Sequence, residues 1–315
     1  MSSRFCNSIL AAAVAALLSF TLAPASAQPP APAQGPGPGG PGGSPRPPGG
    51  PGGPGNGGVP SIFGGPRHVP GGPVQHLADG HPDMQGFWNA GNNGGAVFEV
   101  QNHPTGRAPF FGPGKGAVVD PADGFIPYQP WAAAKAKDTF EHHLAEEPEL
   151  HCYESGVPKQ LYVQFGFQIF QPANYVVLTW EFMHAYRIIP TDGRAHIPAA
   201  IKLFQGDSIG HWEGDTLVVD TTNLSDRTWY DTVGNFHSDA EHVVERFTEV
   251  DTNTINYEAT VDDSKALTKP FKIAFELDKN SDPKYEQMEF ACIEGNEDVT
   301  HYTKDKGGNA DVKVK

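Results

Sequence analysis

A mainly β domain, an antiparallel meander closing into a barrel-like shape, is the fold class that this sequence predicts. Three observations carry the prediction. Beyond Gln160 the apolar residues recur at every second position, which places one face of each segment toward a core. The segments follow one another across turn residues with no helical stretch between them, so neighbours pair directly rather than through crossovers. A meander this long must also protect its edges, and closure does so. A two-sheet sandwich is the alternative.

The chain opens with Met1-Ser-Ser-Arg4, an apolar stretch from Ile9 to Leu22 and Ala25-Ser26-Ala27, the order of a secretory signal spanning 1–27 with cleavage before Gln28. The apolar stretch is short for a membrane span of ~20 residues, and no later segment is continuously apolar, so no membrane insertion is expected. Residues 28–74 collapse to Gly and Pro, as in Gly35-Pro-Gly-Pro-Gly-Gly-Pro41, without a strict three-residue glycine period. That composition predicts a disordered tether rather than a collagen-like helix.

Residues 75–315 have the composition of one globular domain. Gly86-Phe-Trp88 opens the first strand and is similar to the G-x-W of lipocalin-type barrels; no matching arginine stands near the last strand, so the likeness is one of shape. Trp131 through Leu144 is the one good helical stretch. Leu161, Val163, Phe165, Phe167 and Ile169 alternate, Tyr175 to Trp180 follows, and Phe182 to Ile189 runs into Asp192-Gly193, a hairpin signal. Thr216 to Val219, Val243 to Val250, Ile255 to Val261, Phe271 to Leu277 and Glu289 to Ile293 complete the meander.

The formal charge is −15, and the folded part is more acidic still, because Arg4, Arg46 and Arg67 lie in the signal and the tether. Such a domain repels phosphate backbones and anionic membrane surfaces, so nucleic acid is not an expected partner. With Cys6 leaving in the signal, Cys152 and Cys292 remain as an even pair in an exported chain. A bridge between them would close a loop of about 140 residues, for which chain entropy gives ~4–5 kcal/mol. Two cysteines that never meet is the other reading.

Alternation places Met183, Ala185, Arg187 and Ile189 on one face, with Phe182, His184 and Tyr186 opposite. On a later strand Val243, Glu245 and Phe247 share one face, while His242, Val244 and Arg246 share the other. If the Arg187 and Glu245 faces both point inward, the barrel holds an ion pair, either for mutual satisfaction or as the polar floor of a pocket. Glu245, His184, Arg187 and Tyr257 are therefore the candidate acid–base residues: Glu245 or His184 moves a proton, and Arg187 with Tyr257 stabilises negative charge. Trp212, His237 and His242 are the candidate ligand-binding residues. The expected partner is an apolar or aromatic small molecule, with elimination or isomerisation as the reaction class, and no cofactor or metal is called for. A non-catalytic binding barrel and a structural, tethered surface protein are the competing classes.

Two motifs fit by spacing alone. Gly206-Asp-Ser208-Ile-Gly210 matches G-x-S-x-G, which would make a serine hydrolase with Asp220 and His237 as partners, but strand rather than helix follows Ser208. Asp278-Lys-Asn280-Ser-Asp282 with Glu289 approaches a calcium loop, yet Pro283 stands where the turn needs glycine. The histidines show no zinc spacing.

One ensemble is familiar: Asp192-Gly-Arg194-Ala-His196, then Gly206-Asp-Ser208-Ile-Gly-His-Trp212-Glu-Gly-Asp-Thr-Leu-Val-Val-Asp220, then Trp229-Tyr-Asp, Gly234-Asn-Phe-His237-Ser and His242-Val-Val-Glu245-Arg246-Phe. It resembles a widespread group of exported bacterial proteins of unknown function that share a DGR…GxSxGxWxGDTLVV…H[ST]…ERF pattern. The resemblance spans about Gly86 to Glu294 and implies one β-rich domain in a periplasmic or secreted location. It supplies no catalytic residue, and it makes the Gly-x-Ser-x-Gly a turn of the group rather than a hydrolase elbow.

Overall fold

A computed structural model describes residues 69–90, 99–103, 115–163, 165–280, 282 and 284–292, and among these described residues there are ten antiparallel strands and one α-helix. The signal and the tether up to residue 68 lie outside the described residues. The strands are β1 (Gly86–Asn89), β2 (Val118–Asp120), β3 (Phe167–Phe170), β4 (Tyr175–Trp180), β5 (Tyr186–Pro190), β6 (Asp207–Glu213), β7 (Thr216–Thr222), β8 (Glu241–Asp251), β9 (Thr254–Asp263) and β10 (Phe271–Lys279), with α1 at Pro130–His142. They pair in the order β5-β4-β3-β1-β10-β9-β8-β7-β6, with β2 added to β10. The sheet curls into a nearly closed barrel, the fold class predicted from alternation.

Closure comes at a seam between β5 and β6, which share no backbone ladder. Side chains join them instead. Gly210 of β6 lies so close to β5 that an added Cβ would stand 2.9 Å from Ile189 Cγ2, so a larger residue would force the seam apart. Period-two burial is cleanest on β8, where Glu241, Val243, Glu245, Phe247 and Glu249 point inward between less buried neighbours. The interior layers are filled: Val219, Val243, Ala259, Val261 and Ile273 are fully buried. Each such branched aliphatic contributes ~1.5–3 kcal/mol relative to exposure.

Several elements depart from the sequence reading. The alternation of Leu161 to Phe165 is not strand; Lys159–Leu161 is a 3-10 turn, and pairing starts at Phe167. Met183 and His184 adopt left-handed backbone, with φ of 59° and 52°, which breaks the strand expected from Phe182 and delays β5 to Tyr186. Asp192-Gly193 makes a turn but no hairpin, because a long connection separates it from β6. At the C-terminal end the strand expected from Glu289 reduces to a single bridge between Phe290 and Phe182, and Ile293 lies outside the described residues.

The last residues assigned to the tether are part of the fold. Gly71 N–H donates to Asp251 Oδ1 at 2.9 Å, and Gly72 carbonyl accepts from Thr252 N–H at 3.1 Å, so 69–74 clamps the β8–β9 turn. Cys152 and Cys292 are joined by a disulfide, with Cα atoms 5.4 Å apart.

Candidate functional site

Two polar groups of residues lie inside the barrel. The first crosses the seam. Arg187 of β5 donates through Nη1 to Glu245 Oε1 at 3.0 Å and through Nη2 to Oε2 at 2.5 Å, a bidentate pair. Nη2 also reaches Ser208 Oγ on β6 at 2.9 Å and Thr221 Oγ1 on β7 at 3.1 Å. Tyr257 of β9 donates to Glu245 Oε1 at 2.9 Å. All five side chains are buried, Glu245 completely, and Arg187 Nε is left without a partner. The network thus ties five consecutive strands together across the seam that backbone pairing leaves open.

The second group closes the end of the barrel where β7 and β9 finish and β8 and β10 begin. The β7–β8 connection folds back over this end. Tyr230 N–H bonds to the Asn235 carbonyl at 2.7 Å, and buried Asp231 accepts from the N–H groups of Val100, Val233 and Asn235 and from Asn235 Nδ2. Asp263 fixes the next turn by accepting from Ser238, Lys265 and Ala266. These knots set His237 over Glu241, the first inward residue of β8. His237 Nδ1 lies 2.8 Å from Glu241 Oε2 and 3.1 Å from the Ser238 carbonyl, while Nε2 meets Thr228 Oγ1 at 2.6 Å. The Tyr230 hydroxyl sits beside the same carboxylate. Neither Tyr230 nor Glu241 completes a well-aligned hydrogen bond there, although both are buried.

Electrostatics single this pair out. Burial pushes the Glu241 carboxyl up, against the lowering influence of His237. Burial works against the His237 imidazolium, but the Glu241 carboxylate outweighs it and the net direction is also up. Both partners therefore hold protons more tightly than they would in water. Burial and the Glu241 charge also push the Tyr230 hydroxyl well up, keeping it neutral as a donor.

No family model, no curated protein and no solved structure matches this chain. The site must be read from its own chemistry. Among the described residues, no three His, Cys, Asp or Glu side chains are placed to hold a metal ion. A shallow depression of about 450 Å³ is lined by Arg246, Thr248, Asn256, Tyr257, Glu258 and Glu276 among others, and it touches neither His237 nor Glu241.

The sequence-named residues divide among these places. Arg187, Glu245 and Tyr257 come together as alternation indicates, inside the barrel. His184 does not join them: the left-handed turn throws it onto the surface, where Nε2 meets Glu289 Oε1 at 2.9 Å. Trp212 is half-buried and stacks on His81 with ring centroids 4.6 Å apart. His242 faces outward, as read, and its Nε2 lies 3.0 Å from Asp220 Oδ2; Asp220 Oδ1 in turn meets His196, which also reaches Asp207. The hydrolase set is not assembled, because Ser208 points inward to Arg187 and Thr221, Asp220 points outward, and His237 is held by Thr228 and Glu241. Asp278 of the calcium-like loop belongs to β10. Glu241 and Tyr230 were missed. The signal for Glu241 was present, since extending the Val243, Glu245, Phe247 alternation back by two residues reaches it.

Proposed function

We propose that this protein is an exported barrel that takes a small organic molecule at the end closed by the β7–β8 connection and moves a proton on it, with His237 and Glu241 as the transferring couple. Tyr230 serves as a neutral donor toward developing negative charge. Elimination or isomerisation of a molecule with an acidified C–H is the reaction class that such a couple suits. The observation that carries the reading is the His237–Glu241 contact of 2.8 Å between buried groups that both hold protons tightly, next to polar atoms left without aligned partners. Glu245, Arg187 and Tyr257 are already engaged with one another and serve as wall rather than as acid and base. The disulfide supports the extracytoplasmic part of the proposal, since such bonds persist in oxidising compartments.

The competing reading is a non-catalytic binding barrel, in which the same polar groups orient a ligand without reacting with it. Deuterium wash-in separates the two. The full chain is incubated in D2O with a panel of small organic acids and carbonyl compounds, and each compound is weighed by mass spectrometry. Incorporation that disappears in both His237→Gln and Glu241→Gln supports proton transfer at this couple. Incorporation that survives in either variant, or a compound held tightly with no incorporation at all, rejects it, the latter in favour of binding alone.

A further inference from the structure

Beside the His237 site, an arginine stands on the surface without the carboxylate that its chemistry normally attracts. The chain carries 37 Asp and Glu against 22 Lys and Arg. Among the described arginines, Arg187 pairs with Glu245, Arg194 with Asp192 and Arg246 with Glu213. Arg227 forms no such pair; its guanidinium instead lies over the Tyr153 ring, 4.2 Å from the centroid, and bonds to the Tyr153 hydroxyl. Tyr153 stacks on Phe204 at 5.3 Å. Arg227 is exposed and both rings are half-buried.

This group is continuous with the proton couple. Gly156 packs so tightly between Thr228 and Phe204 that an added Cβ would stand 2.7 Å from Thr228 Oγ1 and 3.1 Å from the Phe204 carbonyl, and Thr228 holds His237. The Gly156 carbonyl accepts from the N–H of Gln160, a fully buried residue whose Nε2 has no partner while its Oε1 accepts from Gln205 Nε2 at 3.2 Å. A buried amide donor with nothing to donate to costs ~1–3 kcal/mol, which a ligand oxygen would offset.

We infer that the molecule taken at this end of the barrel is an aromatic carboxylate, selected by Arg227 together with Tyr153 and Phe204. This rests on the proposed site but not on its chemistry. A guanidinium with free donors is the natural partner of a carboxylate, the two rings offer a stacking face, and the buried Gln160 amide is a donor without a partner in the same region. In a strongly acidic protein an unneutralised arginine also gives an anion a favourable point of approach.

Calorimetric titration of the full chain with benzoate, benzamide and cyclohexanecarboxylate tests the inference. Benzoate should bind at least tenfold more tightly than either analogue. Arg227→Met should lose at least tenfold for benzoate with benzamide unchanged, and Arg227→Lys should keep part of the preference; a thermal melt of each variant guards against misfolding. Equal affinity for benzoate and benzamide, undiminished benzoate affinity in Arg227→Met, or no binding of benzoate at all overturns it. The readout is independent of deuterium wash-in. Arg227-dependent benzoate binding without any exchange leaves the selectivity standing and removes the proton-transfer reading, whereas His237-dependent exchange in neutral compounds, indifferent to Arg227, does the reverse.

Discussion

The two polar groups inside this barrel have the same kind of membership, a carboxylate on β8 with a cation and a tyrosine, yet they are finished differently. Glu245 accepts from both Arg187 nitrogens and from Tyr257, and its charge is fully answered. Glu241, the first residue of β8, has His237 against one oxygen and a tyrosine that does not complete its bond. A buried charge that is fully answered holds strands in place. One that is incompletely answered keeps reactivity at a cost in stability.

The sharpest break of this contrast is Arg187→Met. It leaves Glu245 buried and unpaired at the β5–β6 seam, and urea unfolding should show a loss of ~3–5 kcal/mol. The double variant Arg187→Met with Glu245→Leu should recover most of that loss, since an apolar pair of similar volume removes the stranded charge. A double variant as unstable as the single would mean that the seam depends on the ion pair itself.

A smaller effect comes from the far end of the same strand, where Glu249 has its carboxyl pushed up to about 7 by burial, against Lys279. Its side chain is only 3 % exposed although the strand end is open to solvent. The folded state therefore prefers the protonated acid. The corresponding stability is fully present below the ordinary carboxyl pKa of about 4.5 and is lost as pH rises through 7. Unfolding free energies measured at pH 4.5 and pH 8 should differ by ~1–2 kcal/mol more in the wild type than in Glu249→Gln, after allowance for solvent screening. An equal slope in both proteins would place the titration elsewhere.

The smallest effect is the most diagnostic. Glu241→Gln should change the unfolding free energy by less than ~1 kcal/mol, or raise it, because the carboxylate there is incompletely satisfied in the fold. A loss as large as that of Arg187→Met would make the two groups equivalent and mark both as structural.

What the sequence showed of this contrast follows from what period two can and cannot carry. It placed Arg187 and Glu245 inward, and Tyr257 with them, because all three sit in strands whose alternation is uninterrupted. It put His184 on the face opposite Arg187, where it is exposed and apart from the other acid–base candidates, but it started the strand too early, because alternation assumes extended backbone and the positive φ at Met183 and His184 breaks it before β5. It took Leu161 to Phe165 for a strand because a 3-10 turn buries side chains closely enough to imitate one. The His237 site was half legible. His237 stood in a recognisable motif, but its partners come from the connection before it and from the first residue of β8, and no spacing rule relates those places. Arg227 was invisible for a different reason: a missing partner has no sequence signature, and its isolation appears only once every other described arginine has found a carboxylate.

The bond between Cys152 and Cys292 encloses β3 to β10 in one covalent ring. That ring changes what a single proteolytic cut means. A nick in the connection between β5 and β6, which carries the exposed residues 192–195 and 199–203, would open the ring without releasing a fragment. The two halves would stay at each other's side, still sharing a core, and would run as separate bands on a gel only after a reductant had been added.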